Sequence, residues 1–220
     1  MSNITNLTVR KYIESLYRPA SPFLENLRTI GEGRNIPIMT RDAEMMLDTL
    51  IRIAAPRSIL EIGTAIGYSA IFFATVSKAA SITTIEISGK MYEEAMLNIR
   101  DSGLSQRIDA VQGDALDVLT EIGGNYDMIF IDASKGHYRE FFDLCLKKSV
   151  PGTIIVSDNI LFRGITASDE FLDKRRNKTI MRRMRDYLEY ITHHEGVSTS
   201  VLPIGDGIAV SVIGQKETIS

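Results

Sequence analysis

The sequence predicts an α/β fold in which a mostly parallel sheet carries helices on both faces, behind a helical N-terminal segment. Three observations predict it. From Arg57 onward, short apolar runs alternate with amphipathic stretches. Several runs, such as Met128–Ile131 and, after its leading threonine, Thr153–Val156, are apolar without alternation, as strands covered on both faces require. The last two runs are joined only by Pro203-Ile204-Gly205-Asp206-Gly207, too short for a crossover, so the final strand should run antiparallel to its neighbour.

Residues 1–57 precede any strand and read as helical. Tyr12, Ile13, Leu16 and Tyr17 recur at helical spacing. Ser21-Pro22 reads as an N-cap followed by proline at the first helical position, and Gly31-Glu32-Gly33 breaks that helix. A third helix starts near Asp42, with Met45, Met46, Leu47, Leu50, Ile51 and Ile53 as its apolar face, and Pro56 ends it. Strands are then expected over Ser58–Ile62, Ser81–Ile87, Ile108–Val111, Met128–Ile131, Thr153–Val156, Ser198–Leu202 and Ile208–Ile213. Helices are expected between them over Tyr68–Val76, Met91–Asp101, Ala115–Glu121 and Tyr138–Leu146, and in a last segment reaching about Ile191.

Composition narrows the class. The 220 residues are 44% hydrophobic and 24% charged, which fits one folded domain of ordinary size and excludes a disordered chain. No stretch approaches the roughly 18 uninterrupted apolar residues of a membrane span, and the charges among the first thirty residues argue against a signal peptide. The single cysteine, Cys145, falls in an apolar helical pattern and reads as a small buried hydrophobe, so a cytoplasmic location is expected. Net charge is -3, so any nucleic-acid site must be local.

The candidate chemistry lies at the carboxyl ends of the strands, where open α/β sheets bind ligands. Strand one runs into Glu61-Ile62-Gly63-Thr64-Ala65-Ile66-Gly67-Tyr68-Ser69. Gly63 permits a tight turn under a close-lying ligand, and Gly67 opens the next helix. Thr64-Ala65 stands where the dinucleotide fingerprint has its second glycine, which exists to admit a pyrophosphate. A nucleoside cofactor without phosphates suits the loop better than NAD. Glu86 ends strand two and is placed to accept hydrogen bonds from ribose hydroxyls. Asp114, in Gly113-Asp114-Ala115 after strand three, is placed to face an adenine amino group. Singly, each reads equally well as a structural glycine or a solvated helix cap; at successive strand ends they read as a site for S-adenosylmethionine.

Strand four runs into Asp132-Ala133-Ser134-Lys135 and strand five into Asp158-Asn159. Asp132, Asp158 and Asn159 supply hard oxygen donors suited to Mg²⁺, with Mn²⁺ or Ca²⁺ as substitutes. An Asp-Asn pair alone also fits a turn or cap, and Lys135 alone a surface lysine at a helix start. His137, His193 and His194 have no partner at zinc spacing and read as surface or structural side chains.

The ordered set E-I-G-T-x-x-G-Y-S at 61–69, I-E at 85–86, G-D-A at 113–115, F-I-D-A-x-K at 130–135, D-N at 158–159 and L-P-I-G-D-G at 202–207 resembles the divalent-metal-dependent class I O-methyltransferases. That group contains the catechol and caffeoyl-CoA O-methyltransferases, and the likeness spans about residues 36–214. The resemblance implies a Rossmann-like class I methyltransferase fold with strand order 3-2-1-4-5-7-6, residues 1–56 as an N-terminal extension, residues 57–220 as the methyltransferase domain, and a homodimer. It implies Asp132, Asp158 and Asn159 as Mg²⁺ ligands and Lys135 as general base, with Asp132 also beside the cofactor's methionine end. Met39, Thr40, Glu61, Gly63, Gly67, Ser69, Glu86, Asp114 and Ala115 are its expected cofactor contacts.

Within the group the chain looks most like bacterial enzymes that methylate 5-hydroxyuridine at the tRNA wobble position, by its Tyr12–Pro19 stretch and its basic segment. Residues 174–185 hold seven basic side chains among twelve and no acid. If helical, Met181, Met184, Leu188 and Ile191 form the buried stripe, and Arg175, Lys178, Arg182 and Arg185 a second stripe about 100° round that can meet phosphates of the anticodon region. A solvated helix face and a site for a CoA ester are the other readings. A tRNA 5-hydroxyuridine O-methyltransferase is therefore expected, with catechol-like or CoA-linked phenols as the alternative substrates. A non-catalytic RNA-binding protein and an NAD-dependent dehydrogenase are weaker readings.

Overall fold

The computed structural model describes residues 4–133, 136–168, 170 and 177–214. Three helices come first: α1 (Leu7–Ser15), α2 (Pro22–Gly33) and α3 (Arg41–Ala54). Strands and helices then alternate as β1 (Ser58–Ile62), α4 (Tyr68–Val76), β2 (Ser81–Glu86), α5 (Gly89–Asp101), β3 (Ile108–Gln112), α6 (Ala115–Glu121), β4 (Tyr126–Ile131), α7 (Tyr138–Leu146) and β5 (Ser149–Ser157). The chain ends with α8 (Asn177–Thr192), β6 (Val197–Leu202) and β7 (Ile208–Ile213). The seven strands form one sheet in the order β3-β2-β1-β4-β5-β7-β6. β1 to β5 pair in parallel, and β7 runs antiparallel to both β5 and β6. This is the expected topology.

Both faces of the sheet are covered, which is why the central strands are rich in buried apolar residues on both faces, with Glu61 and Thr84 as enclosed polar exceptions. Met128 and Phe130 of β4 turn to one core with residues of α2, α3, α4 and α5. Ile129 and Ile131 turn to the other with residues of α6, α7 and α8. Cys145 is fully buried in that second core, and its thiol pKa is raised, chiefly by desolvation. Among the described residues no helix is long and apolar enough to cross a membrane.

Several local expectations shift. α1 is capped by Asn6 and ends at Ser15, and Tyr12 is 67% exposed, so the Tyr12–Tyr17 stripe is not a buried face. Tyr17 turns inward instead, its hydroxyl donating to Glu44 Oε1 at 2.7 Å. α3 buries Ala43, Glu44, Leu47 and Ile51, a row of period four, which leaves Ile53 about 200° away and 78% exposed. Gly31 lies inside α2, which runs on to Gly33. β5 begins at Ser149, because Pro151-Gly152 is absorbed in a bulge between the pairs Tyr126–Ser149 and Met128–Ile154 rather than ending a turn. In α8 the buried stripe includes Tyr187, which a search for aliphatic spacing passes over.

α2 and α3 are pinned to each other and to α4 by a buried ion pair. Arg28 and Glu44 are almost wholly enclosed and bonded to each other, and the Tyr68 hydroxyl donates to Glu44 Oε2 at 2.6 Å. Arg28 Nη1 also donates to the Met39 carbonyl at 2.9 Å, fixing the segment that leads into α3. Enclosing two charges is costly unless each is well bonded, and removal of either partner would strand the other.

Candidate active site

A cleft of about 580 Å³ opens along the carboxyl ends of β1 to β5. The ladder of parallel hydrogen bonds continues past the strands and aligns its walls. Gly63 N donates to the Ile85 carbonyl, Gly113 N to Glu86, Asp132 N to Ile62 and Asp158 N to Ile131, all at 2.9–3.0 Å. Four backbone hydrogen bonds thus tie the ends of the five parallel strands side by side.

Gly63 has φ of 105°, and a Cβ there would stand 2.1 Å from the Asp132 carbonyl oxygen, so both backbone conformation and space demand glycine. Gly67, at φ 85°, caps α4 and closes the Thr64–Gly67 turn. Glu86 is 8% exposed. Its Oε2 accepts from Ala65 N and its Oε1 from Ser88 N, each at 2.8 Å. Each oxygen keeps a second lone-pair direction, so the carboxylate can anchor the glycine loop and still accept from a ligand hydroxyl. Asp114 is exposed, and its Oδ1 accepts from Leu116 N at 2.9 Å as the cap of α6, so the cap reading holds and the side chain also lines the cleft.

Of the expected cofactor contacts, Gly63, Glu86, Asp114, Ala115 and Asp132 line the cleft. The structure places others behind it. Met39 is packed in the core and Thr40 caps α3 while bonded to Asp42. Glu61 is fully enclosed, with Thr84 donating to its Oε2 at 2.5 Å, and Ser69 is a further hydrogen-bond partner. Among the described residues its Oε1 has no hydrogen-bond partner. Burial is the main cause raising the Glu61 pKa to about 7, with hydrogen bonds from Ser69 and Thr84 opposing and the Asp132 and Glu86 charges adding to it.

Asp132, Asp158 and Asn159 come together at the same edge. Asn159 Nδ2 donates to Asp132 Oδ1 at 2.9 Å, and Asn159 N donates to Asp158 Oδ1 at 2.6 Å. Asn159 has φ of 58°, a conformation that Asn tolerates better than most residues. Asp158 is 3% exposed, and the Tyr138 hydroxyl donates to its carbonyl at 2.8 Å. Burial, then the charges of Asp132 and Asp158, push the Tyr138 phenol pKa well up. Among the described residues no cluster of three His, Cys, Asp or Glu could hold a metal. A cation here depends on the amide of Asn159 as third donor. Turned over, that amide would present oxygen where its nitrogen now meets Asp132, so two carboxylates and one amide fit a hard divalent ion. Lys135 lies outside the described residues, as does Arg175.

The remaining wall was not legible in the motifs. His137, the residue that precedes α7, and Phe141, one turn into it, line the cleft with ring centroids 6.2 Å apart, so His137 is a cleft residue rather than a plain surface one. Ile87 and Leu116 add apolar surface. An apolar Ile87 directly after the strand-end acid, 68% exposed, was the one available signal.

On α8, Lys178 and Arg182 are exposed. Arg185 is not a free member of that stripe, because its Nε donates to the Thr166 carbonyl at 2.7 Å.

The sequence profile of the O-methyltransferase family matches residues 14–213. The chain belongs to the O-methyltransferase family. It is thereby an S-adenosylmethionine-dependent O-methyltransferase by class. It is 32% identical to a catechol O-methyltransferase of Niastella koreensis over 76% of this chain and 78% of that protein. It is 30% identical to a catechol O-methyltransferase of Mycobacterium tuberculosis, over 93% and 94% respectively. Among solved structures, an O-methyltransferase from Bacillus cereus in complex with SAH superposes with a TM-score of 0.80 at 30% identity, covering 94% of this chain and 97% of that one. A Staphylococcus aureus protein proposed as a caffeoyl-CoA O-methyltransferase superposes with a TM-score of 0.89 at 31% identity, covering 94% and 100%.

Proposed function

We propose that this O-methyltransferase binds S-adenosylmethionine in the 580 Å³ cleft and methylates a hydroxyl of a catechol-like or CoA-linked phenol, with Mg²⁺ at Asp132, Asp158 and Asn159. The carrying observation is the position of Asp132, which lines the cleft and also hydrogen-bonds Asn159, so one carboxylate belongs to both halves of the site. The relatives named as catechol O-methyltransferases support the phenol reading.

In this reading Glu86 accepts from the ribose hydroxyls, Gly63 leaves room for the ligand against its backbone, and Asp114 with the amide end of α6 receives the adenine. His137, Phe141, Ile87 and Leu116 exclude water from the base. A divalent ion at the oxygen cluster would stabilise the oxyanion of the attacking hydroxyl and template two neighbouring oxygens. Lys135 Nζ is the proposed proton acceptor on the strength of the family motif, and it needs a pKa below the ordinary value of about 10.4 to act at neutral pH.

One observation favours a second substrate, 5-hydroxyuridine at the tRNA wobble position. Lys178 and Arg182 remain exposed on α8, and they line one depression with Arg185. The 5-hydroxyl and O4 of that base offer the same pair of neighbouring oxygens as a catechol. The proposal includes a homodimer, supported by exposed Leu7, Val9 and Tyr12 on α1, and a cytoplasmic location, supported by the single buried thiol. Sedimentation would test the former.

The deciding experiment offers purified protein a soluble catechol and, separately, tRNA carrying 5-hydroxyuridine, with mass spectrometry of both products. Methylation of the catechol alone supports the first reading. Methylation of the tRNA alone overturns it in favour of the second.

A further inference from the structure

The basic helix α8 makes hydrogen bonds that a docking stripe does not need. Arg183 Nη1 donates to the Gly136 carbonyl at 3.1 Å. Arg185 Nε donates to the Thr166 carbonyl at 2.7 Å. The Tyr187 hydroxyl shares a 2.6 Å hydrogen bond with Ser157 Oγ. Gly136 belongs to the loop that leaves β4 through Asp132, and Ser157 and Thr166 flank the loop that leaves β5 through Asp158 and Asn159. Arg183 and Tyr187, four residues apart, share a face of α8, while Arg185 projects about 200° round from Arg183. One stretch of helix therefore reaches both loops that carry the oxygen cluster.

The second loop is tied further. Thr166 Oγ1 donates to the Ile160 carbonyl at 2.9 Å, and Ile160 N donates to the Gly207 carbonyl at 3.0 Å. A pull on Thr166 is thus passed to the residue next to Asn159. The first loop is tied to the second by Tyr138, whose hydroxyl reaches the Asp158 carbonyl and whose ring meets that of Tyr187 edge-on at 5.5 Å. The two loops and α8 form a closed circuit around Asp132, Asp158 and Asn159.

We infer that α8 is a clasp: Arg183 and Arg185 are positioning residues that set the separation of the loop bearing Asp132 from the loop bearing Asp158 and Asn159. Neither touches the cleft, and they act through the Gly136 and Thr166 carbonyls. The spacing of these donors controls turnover, because an acceptor oxygen displaced by a fraction of an ångström loses its in-line approach. The inference rests on the proposed O-methyl transfer for its kinetic arm and on the structure alone for its exchange arm.

The test uses the intact protein with Arg183→Ala/Arg185→Ala and Arg183→Lys/Arg185→Lys. The alanine pair should lower kcat on catechol by about tenfold while SAH affinity and the KM for the methyl donor stay within about twofold. The lysine pair, which keeps a donor for each carbonyl, should recover most of kcat. Amide exchange of the segments 136–142 and 158–166 should accelerate in the alanine pair and return toward wild type in the lysine pair. Unchanged kcat in the alanine pair overturns the clasp, as does a loss of kcat that the lysine pair does not restore. If the wild type does not methylate catechol, the substrate reading fails on its own, and the exchange data decide: wild-type exchange in the alanine pair overturns the clasp.

Discussion

Glu86 is expected to act twice, and Glu86→Gln separates the two roles. Its oxygens accept from two different backbone donors, Ala65 N in the glycine loop and Ser88 N at the start of α5, at 2.8 Å each. A glutamine offers one oxygen and one NH₂. One of the two N–H groups must then face another donor, whichever way the amide is turned. Hydrogen bonds to a charged acceptor contribute about 1.5–3 kcal/mol each, and the open cleft lets water recover part of that. The ligand-free protein should therefore lose about 1–2 kcal/mol, which for a chain of this size lowers Tm by several degrees. Affinity for S-adenosylhomocysteine should fall by a further 1–3 kcal/mol, about fivefold to 150-fold, through weakened ribose contacts and a loosened loop. Calorimetric titration and melts without ligand measure both. If affinity falls while ligand-free stability is untouched, the carboxylate does not anchor the loop. If affinity is untouched, Glu86 is not in the cofactor site at all.

Other consequences are as direct. Gly63→Ala places a Cβ 2.1 Å from the Asp132 carbonyl at φ 105°, so stability should fall by about 3 kcal/mol or more, and a denaturation midpoint near wild type would contradict the close approach. Glu61 is a buried carboxyl whose pKa is raised to about 7 from 4.5. Its folded state holds the proton more tightly than the unfolded one, so its contribution is complete below about pH 4.5 and is lost as pH rises to about 7. Glu61→Gln should flatten that fall and stabilise the protein at pH 8 by up to about 3 kcal/mol, and unaltered pH dependence in urea melts would refute it. Chelation should abolish turnover and Mg²⁺ should restore it, whereas full activity in metal-free buffer would defeat the role given to Asp132, Asp158 and Asn159.

The strands and their order were legible because burial on both faces writes itself as unbroken apolar runs, and because the short Pro203–Gly207 link admits only a hairpin. The convergence of Gly63, Glu86, Asp114 and Asp132 was legible for a related reason. Parallel strands bring their carboxyl ends to one edge, so residues at corresponding positions meet whatever their separation in sequence. What stayed hidden depends on side chains crossing between elements. The Arg28–Glu44 pair joins α2 to α3 with Tyr68 of α4, and no spacing rule couples those three. Glu61 stands at a strand end like Glu86, yet the alternation of β1 turns it inward to Thr84, while Glu86 lies one strand over at the rim. The basic segment shows the same limit: spacing put Arg175, Lys178, Arg182 and Arg185 on one stripe, and it could not show that Arg183 and Arg185 each donate to a backbone carbonyl.

Asp132 explains why the two halves of the site depend on each other. Its backbone nitrogen is bonded to Ile62, its carbonyl lies where a Gly63 side chain would be, and its carboxylate meets Asn159. A shift of β1 relative to β4 would move the glycine loop and the oxygen cluster together, keeping a methyl donor and an acceptor oxygen in register. Relative motion of β4 against β5 would instead separate Asp132 from Asn159. That seam carries its own restraints, the bond from Asp158 N to Ile131, the Tyr138 hydroxyl on the Asp158 carbonyl and the arginines of α8. The β1–β4 seam is thus aligned by backbone, whose bonds depend little on side-chain identity apart from the glycine required at Gly63. In the proposed reading, acceptor geometry would be set at the β4–β5 seam largely by side chains, the place where one fold could be retuned from one hydroxylated substrate to another.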